Sequence, residues 1–197
     1  MKWSEYIFDN KESLMRGLSS RVGALKKLSK VASFRNRKII ADGIFMSKLV
    51  YLIPLWGGCA KYLVQALQSL QSKAARAVTK LDWNTATAEQ LRQCGWLSVH
   101  QLSVYHTVVM AFKVMQAKSP EYLYNMFNTK YNYKTREADS GRVRNTRKPE
   151  LGLAQDSFRW RAVDLFNQLP ESIRSQQKLQ TFKLQAKQWV RQNIELS

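Results

Sequence analysis

The side chains that could do chemistry in this sequence divide into a sparse set and an abundant one. The sparse set is the one that enzymes use. Cys94, His100 and His106 are six residues apart, and steps of six turn side chains about 240° around a helix, so they share no face on which to hold a metal. The 14 Asp and Glu residues are scattered, which leaves two-metal phosphoryl transfer without visible ligands. There is no glycine-rich phosphate loop, no His-Glu-x-x-His and no zinc spacing. No catalytic constellation can be assembled, and no site for a small-molecule substrate is visible.

The abundant set is cationic. Lys and Arg number 32, giving a formal net charge of +18 and a pI near 10.1. Such a surface attracts polyanions, with nucleic acid the first candidate and an anionic membrane surface the second. The excess is clustered. Residues 16–38 hold eight cations, Arg16, Arg21, Lys26, Lys27, Lys30, Arg35, Arg37 and Lys38, with no acid among them. A run of one sign broken by Leu25, Leu28 and Phe34 reads as a ridge that tracks phosphates. Lys73, Arg76 and Lys80 recur at helical spacing on one face. Residues 128–149 carry seven cations against two acids, including Arg142, Arg144, Arg147 and Lys148, with Tyr131 and Tyr133 placed to stack on unpaired bases.

The elements that must position these groups are helices. Leu14, Leu18, Val22, Leu25 and Leu28 predict a helix over residues 11–30, and Ile39, Ile40, Gly43, Ile44, Ser47 and Val50 a second over 36–51. Gly43 inside it suggests a close approach by another helix. Leu63, Leu67, Leu70, Ala74 and Val78 mark a third helix, opposite the Lys73 face. Thr87 with Gln90, and Ser98 with Gln101, read as capping boxes of the fourth and fifth helices, the fourth ending near Gly95 and the fifth before Ser119-Pro120. A short aromatic helix follows Pro120. Phe158, Ala162, Leu165, Phe166 and Leu169 predict a helix stopped by Pro170, and Leu179, Phe182, Ala186, Trp189 and Val190 the last one.

The fold class is thus all-α. It is divided by composition into a helical segment (1–60), a central helical domain (61–127), a basic arm (128–150) and C-terminal helices (151–197). The most apolar run is shorter than the ~20 residues of a spanning helix and is broken by Pro54, Gly57 and Gly58, so no membrane partner is expected. The N-terminus lacks an apolar signal core. Cys59 and Cys94 are few and far apart, which suggests buried thiols in a reducing compartment, nuclear or cytoplasmic, and not a secreted protein.

A family resemblance joins these pieces. It is carried by Trp3-Ser4-Glu5-Tyr6-Ile7, Leu25-Lys26-Lys27-Leu28-Ser29, Arg37-Lys38-Ile39-Ile40 and Ser47-Lys48-Leu49-Val50-Tyr51. Leu55-Trp56-Gly57-Gly58, Leu67-Gln68, Ala74-Ala75-Arg76 and Gly95-Trp96-Leu97-Ser98-Val99 continue it. Ser157-Phe158-Arg159, Asn167-Gln168-Leu169-Pro170 and Phe182-Lys183 complete it. In order and spacing this set resembles the region after the palm in reverse transcriptases of non-LTR (LINE-type, jockey-like) retrotransposons. The resemblance implies a thumb-like bundle in the first sixty or so residues and the helical region that follows it. It also implies contact with template–primer, RNA–DNA or DNA duplex, or template RNA, and a palm-containing polymerase chain as partner. The Tyr/Phe-x-Asp-Asp motif of that family's palm is missing here, as is its Cys-Cys-His-Cys knuckle. Magnesium would therefore belong to the missing palm, the chain itself calls for no cofactor, and polymerase activity is not expected of it alone. The competing readings are a protein-interaction bundle whose basic surface merely solubilises, and a helix-turn-helix over residues 88–108.

Overall fold

The first helix, α1 (Trp3–Leu28), starts ahead of the leucine spacing and takes in the aromatic entry segment. It belongs to a computed structural model that describes residues 3–58, 61–127, 143 and 158–194. After it come α2 (Phe34–Ala41), a π-helical segment (Asp42–Met46), α3 (Ser47–Leu49), α4 (Ile53–Trp56) and α5 (Lys61–Thr79). The order continues with α6 (Thr87–Cys94), α7 (Val99–Ala117), α8 (Glu121–Phe127), α9 (Phe158–Gln168), α10 (Glu171–Arg174) and α11 (Leu179–Asn193). No strand occurs among the described residues, and the fold is all-α.

The described residues form two compact units, 3–51 with 61–100, and 52–58 with 101–127, 143 and 158–194. This grouping cuts across the division drawn from composition. The physical reason is complementary apolar stripes: α1 lies against α5, so the segments on either side of residue 60 share a core.

In the first unit α1 buries Leu18, Val22 and Leu25, while α5 buries Leu67, Ala74, Ala75 and Val78. Alanines on α5 keep its surface low, which lets α1, α2 and α6 approach it. Two buried glutamines tie the backbone. Gln71 Nε2 donates to the Leu97 carbonyl at 2.8 Å, and Gln90 Nε2 to the Thr85 carbonyl at 2.7 Å.

The predicted helix over 36–51 forms with a π segment in its middle, but its buried face is Arg37, Ala41, Phe45 and Leu49, and Ile39, Ile40, Gly43 and Ser47, expected on the buried side, are exposed. Gly43 lies there, exposed, and a Cβ at that position would meet nothing within 4 Å. The expected close approach at Gly43 is therefore absent. The wider π turn instead aims Asp42 and Phe45 inward. Asp42 Oδ1 accepts from Trp96 Nε1 at 2.7 Å, and Phe45 stacks on Trp96 with ring centroids 6.4 Å apart.

The proposed box at Thr87 also differs. The N-cap of α6 is Ala86, without a side-chain cap, so Thr87 is already the first helical residue and stands one position too late to cap it. The end of α6 matches its signal. Gly95 adopts φ 67°, its N–H reaches back to Arg92 and Leu91, and Trp96 N–H to Leu91 at 2.9 Å, closing the last turn.

In the second unit the core is aromatic. Phe182 of α11 stacks on Phe112 of α7 with centroids 3.9 Å apart and lies 6.4 Å from Phe166 of α9. Phe127 meets Phe158 edge-on at 6.0 Å. The close approach that a glycine permits is here, at Gly57. A Cβ on it would stand 2.0 Å from Ser103 Oγ and 2.6 Å from the Ile53 carbonyl. Asn167 of α9 exchanges two hydrogen bonds with the backbone of Val143, at 2.9 and 2.7 Å, fixing one point of the basic arm against this core.

Candidate nucleic-acid interface

The solvent face of α1 carries the first cations of the run and sets their spacing. Arg16, Lys26 and Lys27 are exposed, with Ser19, Ser20, Gly23 and Ala24 between them. Ten residues separate Arg16 from Lys26, about 15 Å along the axis. This is therefore not an unbroken ridge but two charged ends with a low, neutral middle. Arg16 is also engaged by Glu12 at 2.9 Å, an exposed pair of the kind worth less than about 1 kcal/mol. Arg21 is half-buried and folds its Nη1 onto the Gly17 carbonyl at 2.9 Å.

Beyond α1 the chain turns tightly. Ala32 N–H donates to the Leu28 carbonyl at 3.0 Å, and Ser33 Oγ accepts from Asn36 N–H at 3.4 Å, capping α2. This turn presents Lys30 and Arg35 to solvent. Among the described residues, no carboxylate pairs with Lys26, Lys27, Lys30 or Arg35.

Two cations of the same run are withdrawn from that surface. Arg37, expected on phosphates, is only 6% exposed. Its Nε donates to the Val78 carbonyl at 2.7 Å and its Nη1 to the Ala32 carbonyl at 2.6 Å. A planar fork between two carbonyls is a clamp, and it joins the α1–α2 turn to the end of α5. Lys38 is held by Asp42 Oδ2 at 2.7 Å, an ion pair that competes with any phosphate.

On α5, Lys73 is exposed and Arg76 half-buried, and Lys80 is exposed just past the helix end in the left-handed region (φ 61°). The Arg37 clamp brings Lys80 to the same end of the unit as Lys30 and Arg35. Tyr131, Tyr133, Arg142, Arg144, Arg147 and Lys148 lie outside the described residues.

Groups able to titrate or coordinate do not form a second site. Burial pushes the Cys94 thiol up to about 11, with Lys38 opposing and Asp42 adding. Burial, then Lys113 and Lys183, hold His106 below its ordinary value. Among the described residues no three His, Cys, Asp or Glu side chains could hold a metal ion, and no helix is long and apolar enough to cross a membrane.

Sequence reading passed over Val31 and Trp83. They are 85% and 82% exposed, Val31 in the turn that Arg37 bonds and Trp83 in the loop that follows the bonded end of α5. The available signal was an apolar side chain inside a polar turn beside cations. No protein-family model, curated protein or solved structure matches the chain.

Proposed function

We propose that this chain is a nucleic-acid-binding helical module that grips a duplex or template RNA through phosphates. In this reading it serves as the thumb and following helical region of a retroelement RNA-directed DNA polymerase whose palm lies elsewhere. The observation that carries the binding is the set Lys26, Lys27, Lys30, Arg35 and Lys80, exposed on one unit with no carboxylate paired to them among the described residues. Cations held apart from their own acids keep their full attraction for phosphates and release condensed counterions on binding. Lys73 extends the set along α5. The role is gripping. Magnesium for nucleotidyl transfer would sit on palm aspartates, and the described residues offer no equivalent donors.

The test is a titration of a labelled 20-base-pair RNA–DNA hybrid with the full chain, read by fluorescence anisotropy. Four to six phosphate contacts imply a loss of roughly two to three decades in affinity between 50 and 200 mM salt. Binding that is flat in salt, or absent, would overturn the reading and leave a bundle whose charge only solubilises.

A further inference from the structure

We infer that the end of the first unit where Val31, Phe34 and Trp83 stand among Lys27, Lys30, Arg35 and Lys80 is a stacking tip for unpaired bases of a single strand. The inference rests on the phosphate-binding reading and adds a second mode of contact to it. Its basis is the Arg37 clamp. One guanidinium bonds the carbonyls of Ala32 and Val78 at 2.6 and 2.7 Å, so the α1–α2 turn is fixed to the end of α5, from which the α5–α6 loop runs on.

Both loops are framed from within. The first closes on α1 through Val31 and Ala32 N–H to the Leu28 carbonyl, at 3.2 and 3.0 Å. The second closes through Lys80 N–H to the Arg76 carbonyl at 2.9 Å and Thr85 N–H to the Asp82 carbonyl at 3.1 Å, with the buried Gln90 holding Thr85 from below. On these frames Trp83 is 82% exposed, Val31 85% and Phe34 44%. An indole and a valine this open on hydrogen-bonded loops are not left out for want of a fold. They leave apolar faces in water that a partner would cover.

The surrounding charge says which partner. Lys27, Lys30 and Arg35 are exposed within a few residues of Val31 and Phe34, and Lys80 is exposed just ahead of Trp83, with Asp82 the acid in the second loop. Four cations against that one acid repel a basic partner and attract a polyanion. Among polyanions, an aromatic face favours one with π-faces of its own. A single strand offers unpaired bases to Trp83 and Phe34 and phosphates to the cations. A blunt duplex keeps its bases stacked inside and meets the cations alone.

The test compares fluorescein-labelled oligo(dT) of about 20 nucleotides with a blunt DNA duplex of the same length, each at the same series of salt concentrations, using the full chain. Phe34→Ala with Trp83→Ala should weaken oligo(dT) binding by about tenfold or more and duplex binding by less than about twofold. The salt slope should not change, because stacking releases no counterions. Tyr122→Ala, an aromatic 68% exposed on the second unit, should change neither. Quenching of tryptophan fluorescence by oligo(dT) should vanish in Trp83→Ala and persist in Tyr122→Ala. Circular dichroism of each variant confirms that it is folded.

Equal losses on the two probes, or none on oligo(dT), overturn the tip and leave the phosphate reading standing. Wild-type protein that binds neither probe removes both. Self-association that the double substitution abolishes, with oligo(dT) binding untouched, makes the tip a protein contact and also overturns it.

Discussion

Arg37 is where one side chain decides most. By sequence it is one cation in a run of eight, and nothing in the spacing separates it from Arg35. Its role became visible only once α2 lay against α5, because the Val78 carbonyl it bonds is 41 residues away. Arg37→Ala should destabilise the protein by about 3 kcal/mol in urea unfolding, since two carbonyls lose a charged donor. Arg37→Lys should recover less than half of this, a single ammonium being unable to span both. Full stability of Arg37→Ala would show that the clamp is idle. Cys94 was expected to be buried, and it is, with its thiol pushed up to about 11 by burial. In a Cys59→Ser background it should resist a thiol reagent at pH 8 until urea unfolds the chain. Rapid labelling of folded protein would contradict its burial. His106 carries a pH dependence of known sign. Its folded value is lowered, first by burial. Stability is therefore complete above the ordinary histidine value near 6.5 and falls as pH drops below it, the unfolded chain taking the proton more readily. His106→Gln should lose less of its urea midpoint between pH 7 and pH 5 than wild type does. An identical drop in wild type and His106→Gln would remove histidine from the acid response.

Elements were legible where periodicity is strong and illegible where backbone geometry overrides it. The stripes of α1, α5, α9 and α11 name their own buried faces, and Gly95 with its positive φ ends α6 where the sequence places it. The π segment had no such signal. An extra residue in one helical turn leaves the apolar spacing almost unchanged, and only the Asp42–Trp96 bond across 54 residues shows what it achieves. The two glycines changed roles for the same reason. Sequence shows that a side chain is missing but not what stands in its place. Gly43 faces open space and Gly57 faces Ser103. Gly43→Ala should thus stabilise the protein by about 0.5 kcal/mol, by narrowing the unfolded ensemble without a clash. Gly57→Ala should destabilise it by roughly 1–3 kcal/mol, because a methyl group must displace a buried hydroxyl and a carbonyl. Thermal melts of the two variants shifting in the same direction would contradict this assignment. The capping box at Thr87 failed by register: the helix starts one residue earlier, on Ala86, and a Thr-x-x-Gln spacing does not say where the first turn begins.

For the whole molecule, the all-α class follows from the sequence, whereas the partition into units does not. Composition changes at linkers and arms, but α1 and α5 join across such a change because their apolar faces match. Net charge is equally legible in amount and illegible in arrangement. A charge of +18 favours polyanions in general, and a nucleic acid is the partner proposed. The structure then sorts its cations into clamped (Arg37), paired (Arg16, Lys38) and exposed without a pairing carboxylate among the described residues (Lys26, Lys27, Lys30, Arg35, Lys73, Lys80). That sorting gives the central claim its most direct measurement, the salt dependence of duplex binding in two triple variants. Wild type should show a log–log slope of about −4 to −5. Lys27, Lys30 and Arg35 changed together to alanine should flatten it by about two to three units and weaken binding to every sequence alike. Lys113, Lys118 and Lys178, exposed on the second unit, should leave the slope within about half a unit when changed in the same way. Equal losses and equal slopes from the two triples would contradict a localised grip and leave only diffuse attraction.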